Sequence, residues 1–303
     1  MTTISFEGRV AVITGAGGGL GRAHALLLAS RGARVVVNDL GGSVSGAGGS
    51  LTAAQRVMRE IEAVGGQAIA NGDDVATREG AQRLMDAAVQ AFGRIDVLIN
   101  NAGILRDKTL AKMDPADFEA VVRVHLLGSA WCSQAAWPVM QQQQYGRIVM
   151  TTSAAGLYGN FGQSNYGAAK LGIVGLMNTL KHEGAKFGIR VNTVAPVALT
   201  RMTEDLPFAR MLSEAVPERV AAGVAFLASE ACEFTGQILS AGAGYFSLVQ
   251  VVEGRGVHAP AGQATPEFVA AHWGEIADMS QARPYDSAGD ALVAAFTARR
   301  GGT

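Results

Sequence analysis

The sequence has few cysteines, few charged residues and no long apolar run, and each shortage excludes a class of protein. Its 303 residues include two cysteines, Cys132 and Cys232, too few for a disulfide framework or a cysteine-rich metal cluster. The 25 Lys and Arg residues nearly cancel the 26 Asp and Glu residues, and the net charge of −1 argues against a nucleic-acid-binding protein. No stretch reaches the roughly 18 consecutive apolar residues of a membrane span. We therefore expect no nucleic-acid partner, no membrane partner and no metal.

Neither end of the chain carries a targeting signal that we can identify. The first ten residues, MTTISFEGRV, lack the basic start and long apolar stretch of a secretory signal peptide. The last three residues, GGT, differ from the Ser-Lys-Leu signal that directs proteins to peroxisomes. The sequence therefore predicts a cytoplasmic protein.

Apolar residues and glycine are abundant. Apolar residues make up 49% of the chain, and charged residues make up 17%, against roughly 25% in a typical soluble domain. This composition is typical of a globular protein and not of a disordered one. The 39 glycines are nearly twice the usual share of about 7%, which predicts many tight turns and close backbone approaches.

Short β-branched runs alternate with longer Ala- and Leu-rich stretches. The predicted strands are 9–14, 33–38, 67–71, 95–100, 147–150 and 189–194, and the predicted helices are 20–31, 51–64, 78–92, 115–141 and 166–187. The strands are almost continuously hydrophobic, as expected for strands that are buried on both faces. The alternation predicts an α/β protein with a single doubly wound (Rossmann) parallel sheet flanked by helices.

Two segments interrupt this alternation. Residues 41–50 (GGSVSGAGGS) are too rich in Gly and Ser for a regular element and predict a surface loop. From about residue 250 the β/α alternation stops, so we divide the chain into a catalytic domain, 1–250, and a C-terminal extension, 251–303. The extension keeps apolar residues such as Phe268 and Trp273 and includes an irregular helical pattern near 266–278. We expect it to cover a substrate site of its own chain or of a neighbouring subunit.

The first motif with chemical meaning is TGAGGGLG at residues 14–21, which follows a predicted strand and opens a predicted helix. In this context Gly15 permits the tight turn, Gly19 lets the backbone approach a pyrophosphate, and Gly21 permits close packing of helix and strand. The motif favours a dinucleotide site over the alternative, a plain glycine-rich turn.

Asp39 follows the second predicted strand, where a carboxylate accepts hydrogen bonds from the adenosine ribose and repels a 2′-phosphate. Its neighbours Asn38, Leu40 and Gly41 are not basic. Asp39 therefore favours NAD over NADP as the cofactor. The alternative is a solvated carboxylate at the end of a strand.

Ser153, Tyr166 and Lys170 form the third candidate group. Tyr166 and Lys170 are four residues apart and share one face of a predicted helix. A nearby ammonium favours the phenolate and lowers the pKa of Tyr166 from about 10. Ser153, at the end of a strand, is placed to hydrogen-bond a reacting oxygen. The alternative for the pair is a surface Tyr beside a Lys.

Together these segments resemble the classical short-chain dehydrogenase/reductase family over about residues 5–245. The matching segments are TGAGGGLG (14–21), NNAG (100–103), Ser153 and YGAAK (166–170). The resemblance implies that Tyr166 is the catalytic acid/base and that Lys170 lowers the pKa of Tyr166 and binds the nicotinamide ribose. It also implies that Ser153 polarises the substrate oxygen.

The same resemblance implies further contacts with the cofactor. Asp74 and Val75 match the position beside the adenine, and Asn101 lines the cofactor site. Residues 196–200 (PVALT) match the loop beside the nicotinamide, where the family often has Pro-Gly. The implied cofactor-binding residues are Gly15, Gly17, Gly19, Leu20, Gly21, Asp39, Asp74, Val75, Asn101, Ala102, Gly103, Tyr166, Lys170, Pro196, Ala198, Leu199 and Thr200.

His125 stands where classical members usually carry an Asn that supports a proton-relay water. Because a His donates or accepts a proton near neutral pH, His125 is a candidate to hold that water or to relay the proton itself. The alternative is a structural His within the central helix.

A narrower resemblance points to one subgroup, the dehydrogenase modules of peroxisomal multifunctional enzymes of type 2. The segments that carry it include NDLGG (38–42), NNAGILRDK (100–108), VHLLGSA (124–130), residues 145–170 and TPEFVAAHW (265–273). It implies a free-standing, bacterial-like, NAD-dependent dehydrogenase of (3R)-hydroxyacyl-CoA that forms a homodimer or homotetramer. A hydroxysteroid dehydrogenase of the 17β type is the first alternative, and a non-catalytic NAD sensor is a remote one.

Overall fold

The structure, a computed structural model of the chain, describes residues 3–198 and 215–298. Eight strands form one sheet. They are β1 (Val10–Thr14), β2 (Arg34–Asn38), β3 (Gln67–Asn71), β4 (Val97–Asn100), β5 (Gly146–Thr151), β6 (Ile189–Val197), β7 (Ile238–Gly242) and β8 (Tyr245–Val249).

The strand order is β3-β2-β1-β4-β5-β6-β7-β8. All neighbouring pairs from β3 to β7 are parallel, with Val12 opposite Val36 of β2 and Leu98 of β4 at the centre. The Ala243-Gly244 turn joins β7 to β8, and a connection this short makes the two strands antiparallel. The chain order reverses between β1 and β4, so the sheet has the predicted doubly wound topology. The expected fold class is confirmed.

Eleven α-helices lie in the described part of the chain. They are α1 (Gly19–Ser30), α2 (Thr52–Ala63), α3 (Arg78–Phe92), α4 (Pro115–Val122), α5 (Gly128–Gln143), α6 (Ala154–Tyr158), α7 (Ser164–Gly184), α8 (Pro217–Ala228), α9 (Pro266–Ala271), α10 (Trp273–Ile276) and α11 (Ala288–Ala298). A π-helical segment, Arg123–Leu127, joins α4 to α5, and 3₁₀ turns occupy Leu110–Lys112 and Ala185–Phe187.

Local chemistry accounts for several helix ends. Thr77 caps α3 by accepting a hydrogen bond from the Gly80 N–H, and α3 ends at Gly93 in the left-handed conformation with φ 76°. Asp114 caps α4, with Pro115 at the first helical position. Because β1, β2 and β4 are buried on both faces, helices must cover the sheet on both sides.

The chain divides into two compact units, Met1–Leu248 and Val249–Thr303. The first contains the sheet through most of β8. In the second, Thr265 caps α9, and the ring of Phe268 stacks on His272 with centroids 4.0 Å apart. Cys132 and Cys232 are both buried free thiols. Within residues 3–198 and 215–298, no helix is long and apolar enough to cross a membrane, and no three His, Cys, Asp or Glu side chains are grouped to hold a metal.

Candidate active site

A cavity of about 790 Å³ opens where the parallel strands end, at the carboxyl edge of the sheet. Segments that follow β1, β2, β3, β4, β5 and β6 all contribute to its walls, together with the N-terminal part of α7. The lining includes Gly15, Gly19, Leu20, Asp39, Asp74, Val75, Asn101, Ala102, Gly103, His125, Ser153, Tyr166, Lys170, Pro196 and Ala198. This is the crevice at a topological switch point where open α/β sheets bind ligands.

Close packing explains three glycines of the segment that runs from the end of β1 into the first turn of α1. Gly15 has φ +64°, and a Cβ there would lie 2.7 Å from Ala102 Cα. A Cβ on Gly21 would overlap the carbonyl oxygen of Gly15, and one on Gly17 would lie 2.7 Å from the carboxylate of Asp39. These three glycines keep the turn tight and let α1 approach β1, as the motif predicts for Gly15 and Gly21.

The N-terminus of α1 is open toward the cavity. Its N-cap is Gly18, so no side chain occupies the capping position, and Gly18, Gly19 and Leu20 line the cavity. Unpaired N–H groups at a helix N-terminus favour an anion such as a pyrophosphate. The glycines leave a space that a Cβ would fill, and this space lies beside the open N-terminus of α1. The arrangement fits a dinucleotide.

The Asp39 carboxylate is already held by backbone N–H groups. Its Oδ2 accepts a hydrogen bond from Gly17 at 2.7 Å, and its Oδ1 accepts one from Gly41 at 2.7 Å. The Arg56 guanidinium donates to the Gly17 carbonyl at 3.1 Å. Both backbone groups of Gly17 are therefore hydrogen-bonded, the N–H to the Asp39 carboxylate and the C=O to the Arg56 guanidinium.

Asn101 acts on the glycine-rich turn through its side chain. Its Nδ2 donates to the carbonyl oxygens of Thr14 and Gly15, both at 3.0 Å. The Thr14 hydroxyl accepts hydrogen bonds from the backbone N–H groups of Asn101 and Ala102, each at 3.0 Å. Asn101 thus lines the cavity and also joins the end of β1 to the segment after β4.

Ser153, Tyr166 and Lys170 come together as the sequence predicts. Ser153 follows β5 and caps α6, its hydroxyl accepting from the Ala155 N–H at 3.2 Å. Tyr166 lies in the first turn of α7, and it lines the cavity together with Ser153. The Lys170 ammonium lies 5.4 Å from the centre of the Tyr166 ring, one helical turn further on. The three side chains form one polar group in the cavity wall.

The pKa of Tyr166 differs from the expected direction. Burial of the phenol raises its pKa, the hydrogen bond with Ser153 lowers it, and the negative charge of Asp107 raises it. The expected lowering by Lys170 is not found in the protein chain alone. Burial dominates because it penalises the phenolate.

Lys170 is almost fully buried, and burial lowers its pKa from 10.5 to about 7. Its ammonium donates a hydrogen bond to the Thr151 carbonyl at 2.6 Å. Gly156 permits this placement, since a Cβ there would lie 2.7 Å from Lys170 Cβ. Lys170 therefore changes its charge near neutral pH, and any added negative charge in the cavity favours its ammonium form.

His125 lies in the π-helical segment, a feature often found at functional sites. Its Nε2 is 3.1 Å from the Ile104 nitrogen and 2.8 Å from the Ile104 oxygen, accepting or donating according to its tautomer. Its ring meets that of Tyr166 edge to face, with centroids 5.1 Å apart. Burial first, then the charge of Lys170, lowers its pKa well below 6.5.

This environment leaves His125 neutral near pH 7. Among the described residues, its Nδ1 is buried without a hydrogen-bond partner. Gly103 is required beside it, because a Cβ on Gly103 would overlap the imidazole. An unpaired buried nitrogen next to Tyr166 suits a bound water better than a purely apolar packing role, and the relay role of His125 stays a prediction.

Two predicted cofactor contacts, Leu199 and Thr200, lie outside the described residues. Sequence analysis did not identify Asn165, a fully buried residue that precedes Tyr166. Its Nδ2 donates to the Arg106 carbonyl at 3.0 Å and thereby positions the start of α7 against the segment after β4. A polar residue immediately before Tyr166 was the available signal.

The short chain dehydrogenase family model matches residues 9–208, about two thirds of the chain. The chain belongs to this family. The glycine-rich turn and the group of Ser153, Tyr166 and Lys170 both lie within the matched residues.

Three known proteins are similar to this chain over most of its length. The chain is 48% identical over 277 residues to the peroxisomal hydratase-dehydrogenase-epimerase of Saccharomyces cerevisiae, covering 91% of this chain and 31% of that protein. The structure of full-length peroxisomal multifunctional enzyme type 2 from Drosophila melanogaster matches with a TM-score of 0.82 and 38% identity, over 97% of this chain and 50% of that one. A short chain dehydrogenase from Mycobacterium avium matches with a TM-score of 0.78 and 40% identity, over 92% and 97% of the two chains.

The chain thus spans 31% of the Saccharomyces cerevisiae protein and 50% of the Drosophila melanogaster chain. The resemblance to multifunctional enzymes of type 2 seen in the sequence is confirmed, because proteins of that name are among the relatives that the chain matches.

Proposed function

We propose that this protein is an NAD-dependent dehydrogenase that interconverts 3-hydroxyacyl-CoA and 3-ketoacyl-CoA. The observation that carries the proposal is the group of Ser153, Tyr166 and Lys170 in the wall of a cavity that also contains the glycine-rich turn. Similarity to a hydratase-dehydrogenase-epimerase supports a hydroxyacyl substrate.

The preference for NAD rests on Asp39. The family uses NAD or NADP, and a 2′-phosphate near the Asp39 carboxylate would meet a like charge. Gly15, Gly18, Gly19 and Leu20 would hold the pyrophosphate, with Asp39 beside the adenosine ribose. When bound, the oxidised nicotinamide accepts a hydride.

In the mechanism that this geometry supports, Tyr166 removes the proton of the substrate hydroxyl. Ser153 and Tyr166 line the same cavity, and in this mechanism the Ser153 hydroxyl donates to the substrate oxygen and stabilises the negative charge that develops there. Lys170 in its ammonium form stabilises the phenolate of Tyr166. Lys170 and His125 then carry the proton toward solvent.

Exposed apolar side chains near the catalytic group favour a substrate with an apolar chain. Tyr158 lines the cavity at the end of α6 and is 73% exposed. Phe161 is 88% exposed and Leu110 is 71% exposed, on two segments joined by the hydrogen bond from the Lys108 N–H to the Gly162 carbonyl. Large exposed apolar side chains are typical of a binding surface.

The test is a panel of initial rates with NAD and NADP. The substrates are both enantiomers of 3-hydroxyacyl-CoA at several chain lengths and a set of 17β-hydroxysteroids. We expect the highest kcat/KM for one hydroxyacyl-CoA enantiomer with NAD. Faster oxidation of steroids would support the alternative, and nucleotide binding without turnover of any substrate would support a sensor.

The family resemblance also supports a homodimer or a homotetramer. Sedimentation equilibrium of the full chain measures this directly, and a monomer across the working concentration range would contradict it.

A further inference from the structure

Residues 41–50, the strap, form a loop that is closed at its base. The Ser50 N–H donates to the Leu40 carbonyl at 2.9 Å, so the loop leaves β2 and returns beside its starting point before α2. Inside the loop, the Ser43 N–H donates to the Ala47 carbonyl at 2.8 Å and the Gly46 N–H donates to the Ser43 carbonyl at 2.9 Å. A compact surface loop with adjacent ends is often functional.

The tip of the strap is fastened to a different part of the sheet. The Leu105 N–H donates to the Val44 carbonyl at 2.9 Å, and the Arg106 Nε donates to the Ser45 carbonyl at 3.0 Å. The backbone of Gly46 packs against Ile104, since a Cβ there would lie 3.2 Å from the Ile104 side chain. Residues 104–106 follow β4, whereas the strap follows β2.

These contacts make the strap cross the cofactor cleft. In the sheet β1 lies between β2 and β4, and all three parallel strands end at the same edge. A loop that starts after β2 and is attached after β4 must therefore pass over the end of β1, where the glycine-rich turn begins. Gly18 and Gly19 of that turn and Ser43, Val44 and Gly46 of the strap line the same cavity.

Arg106 fastens the strap on one side and α4 on the other. Its Nη1 donates to Asp117 of α4 at 3.1 Å while its Nε holds Ser45. Lys108 reaches the same carboxylate, at 3.0 Å, and makes no hydrogen bond to the strap among the described residues. Arg106 thus joins the strap to a helix, and Lys108 provides a matched control for the ion pair.

We infer that the strap closes over the bound dinucleotide and that Arg106 is the positioning residue that keeps it closed. The inference rests on the proposed function only in that a dinucleotide occupies this cleft. Because the bonds at the tip are few and the strap is largely exposed, it opens without disturbing the sheet. Opening of the strap then limits how fast the cofactor leaves.

The experiment measures the release rate of NADH by stopped-flow fluorescence, with excess NAD as the displacing ligand. In Arg106→Leu we expect release to accelerate roughly tenfold, the effect of losing one or two hydrogen bonds, while the association rate changes little. Lys108→Leu removes an ion pair to the same carboxylate and should release NADH at the native rate.

Hydrogen exchange at the Leu105 amide is a second readout, because this group donates to the strap. We expect NADH to slow its exchange in the native protein and to slow it far less in Arg106→Leu. If Arg106→Leu binds NADH normally and shows an unchanged release rate and unchanged exchange, the proposed role of the strap is wrong and the cofactor assignment stands. Failure of the native protein to bind NADH or NADPH would overturn the cofactor assignment, and the strap with it.

Discussion

The hydroxyl of Tyr166 is the atom on which the proposed reaction depends most. Tyr166→Phe keeps the ring in place beside His125 but removes the oxygen that takes the proton. We expect kcat to fall by about 10²–10⁴-fold, the usual contribution of a general acid/base, with NAD affinity nearly unchanged. Tyr158→Phe, in the same cavity wall, is the matched control. Steady-state kinetics and a fluorescence titration measure both quantities, and near-native kcat in Tyr166→Phe would contradict the mechanism.

Asp107 offers a way to shift the acidity of Tyr166 without touching it. Burial and then the Asp107 charge raise the pKa of Tyr166, while the hydrogen bond with Ser153 opposes them. Asp107→Asn removes the charge and retains an oxygen that accepts from Gln163. Because alcohol oxidation needs the phenolate, kcat/KM rises with pH as Tyr166 loses its proton, and we expect this rising, acidic limb of the pH profile to move to lower pH.

The exposed residue Asp86 on α3 supplies the control, Asp86→Asn, which should leave the profile in place. A profile that stays fixed in Asp107→Asn, or moves to higher pH, would show that Asp107 does not act on the phenol.

Among the elements, the sequence predicted those with a strong hydrophobic period and missed those without one. The six predicted strands are present because runs such as RVVVN in β2 are buried on both faces. The last two strands were missed, and in β7 (ILSAG) Ser and Gly interrupt the hydrophobic run. The predicted helix 115–141 is broken by the π-helical segment that holds His125, because a pattern with a period of 3.6 residues does not reveal a local insertion.

Sequence motifs identified most residues of the candidate site. Properties that depend on tertiary contacts were harder to predict. Spacing indicated that Ser153, Tyr166 and Lys170 form a group. It did not predict that the pKa of Tyr166 is raised, because this shift depends on burial. Likewise, the composition of 41–50 predicted a loop, while its attachment to Arg106 depends on the tertiary structure.

The glycine-rich turn and the end of β2 together should determine the preference for NAD over NADP. Asp39→Ala removes the carboxylate that repels a 2′-phosphate and leaves the Arg56 guanidinium beside Gly17. We expect the ratio of kcat/KM for NADP to that for NAD to rise at least about tenfold. The double variant Asp39→Ala/Arg56→Ala should lose part of this gain. A native protein that already prefers NADP would show that the argument from Asp39 is wrong.

At the scale of the whole molecule, the cavity belongs to one unit. Its lining residues fall between positions 15 and 198, within Met1–Leu248. A chain truncated after residue 250 should therefore fold cooperatively and bind NAD with native affinity. We also propose that residues 251–303 cover a substrate site. If so, the truncation should raise KM for the acyl substrate more than KM for NAD. A folded truncation with unchanged kinetics would contradict that role.

His24 should make the stability of the whole fold depend on pH. It is buried in α1, its Nδ1 has no partner among the described residues, and burial lowers its pKa to about 3. The unfolded chain binds a proton near the ordinary pKa of 6.5, which the folded protein does not bind until far lower pH. The contribution of neutral His24 is therefore complete above pH 6.5, and folding loses about 1.4 kcal/mol for each pH unit below it, down to about pH 3.

His24→Leu removes this titration while keeping an apolar side chain of similar size that favours a helix. We expect urea unfolding between pH 7 and pH 5 to show a loss of stability in the native protein that exceeds the loss in His24→Leu by roughly 2 kcal/mol. The pKa of buried His125 is lowered as well, but His125 is present in both proteins, so its effect cancels in the difference. Equal losses in the two proteins would mean that His24 binds its proton as readily in the folded protein as in the unfolded chain.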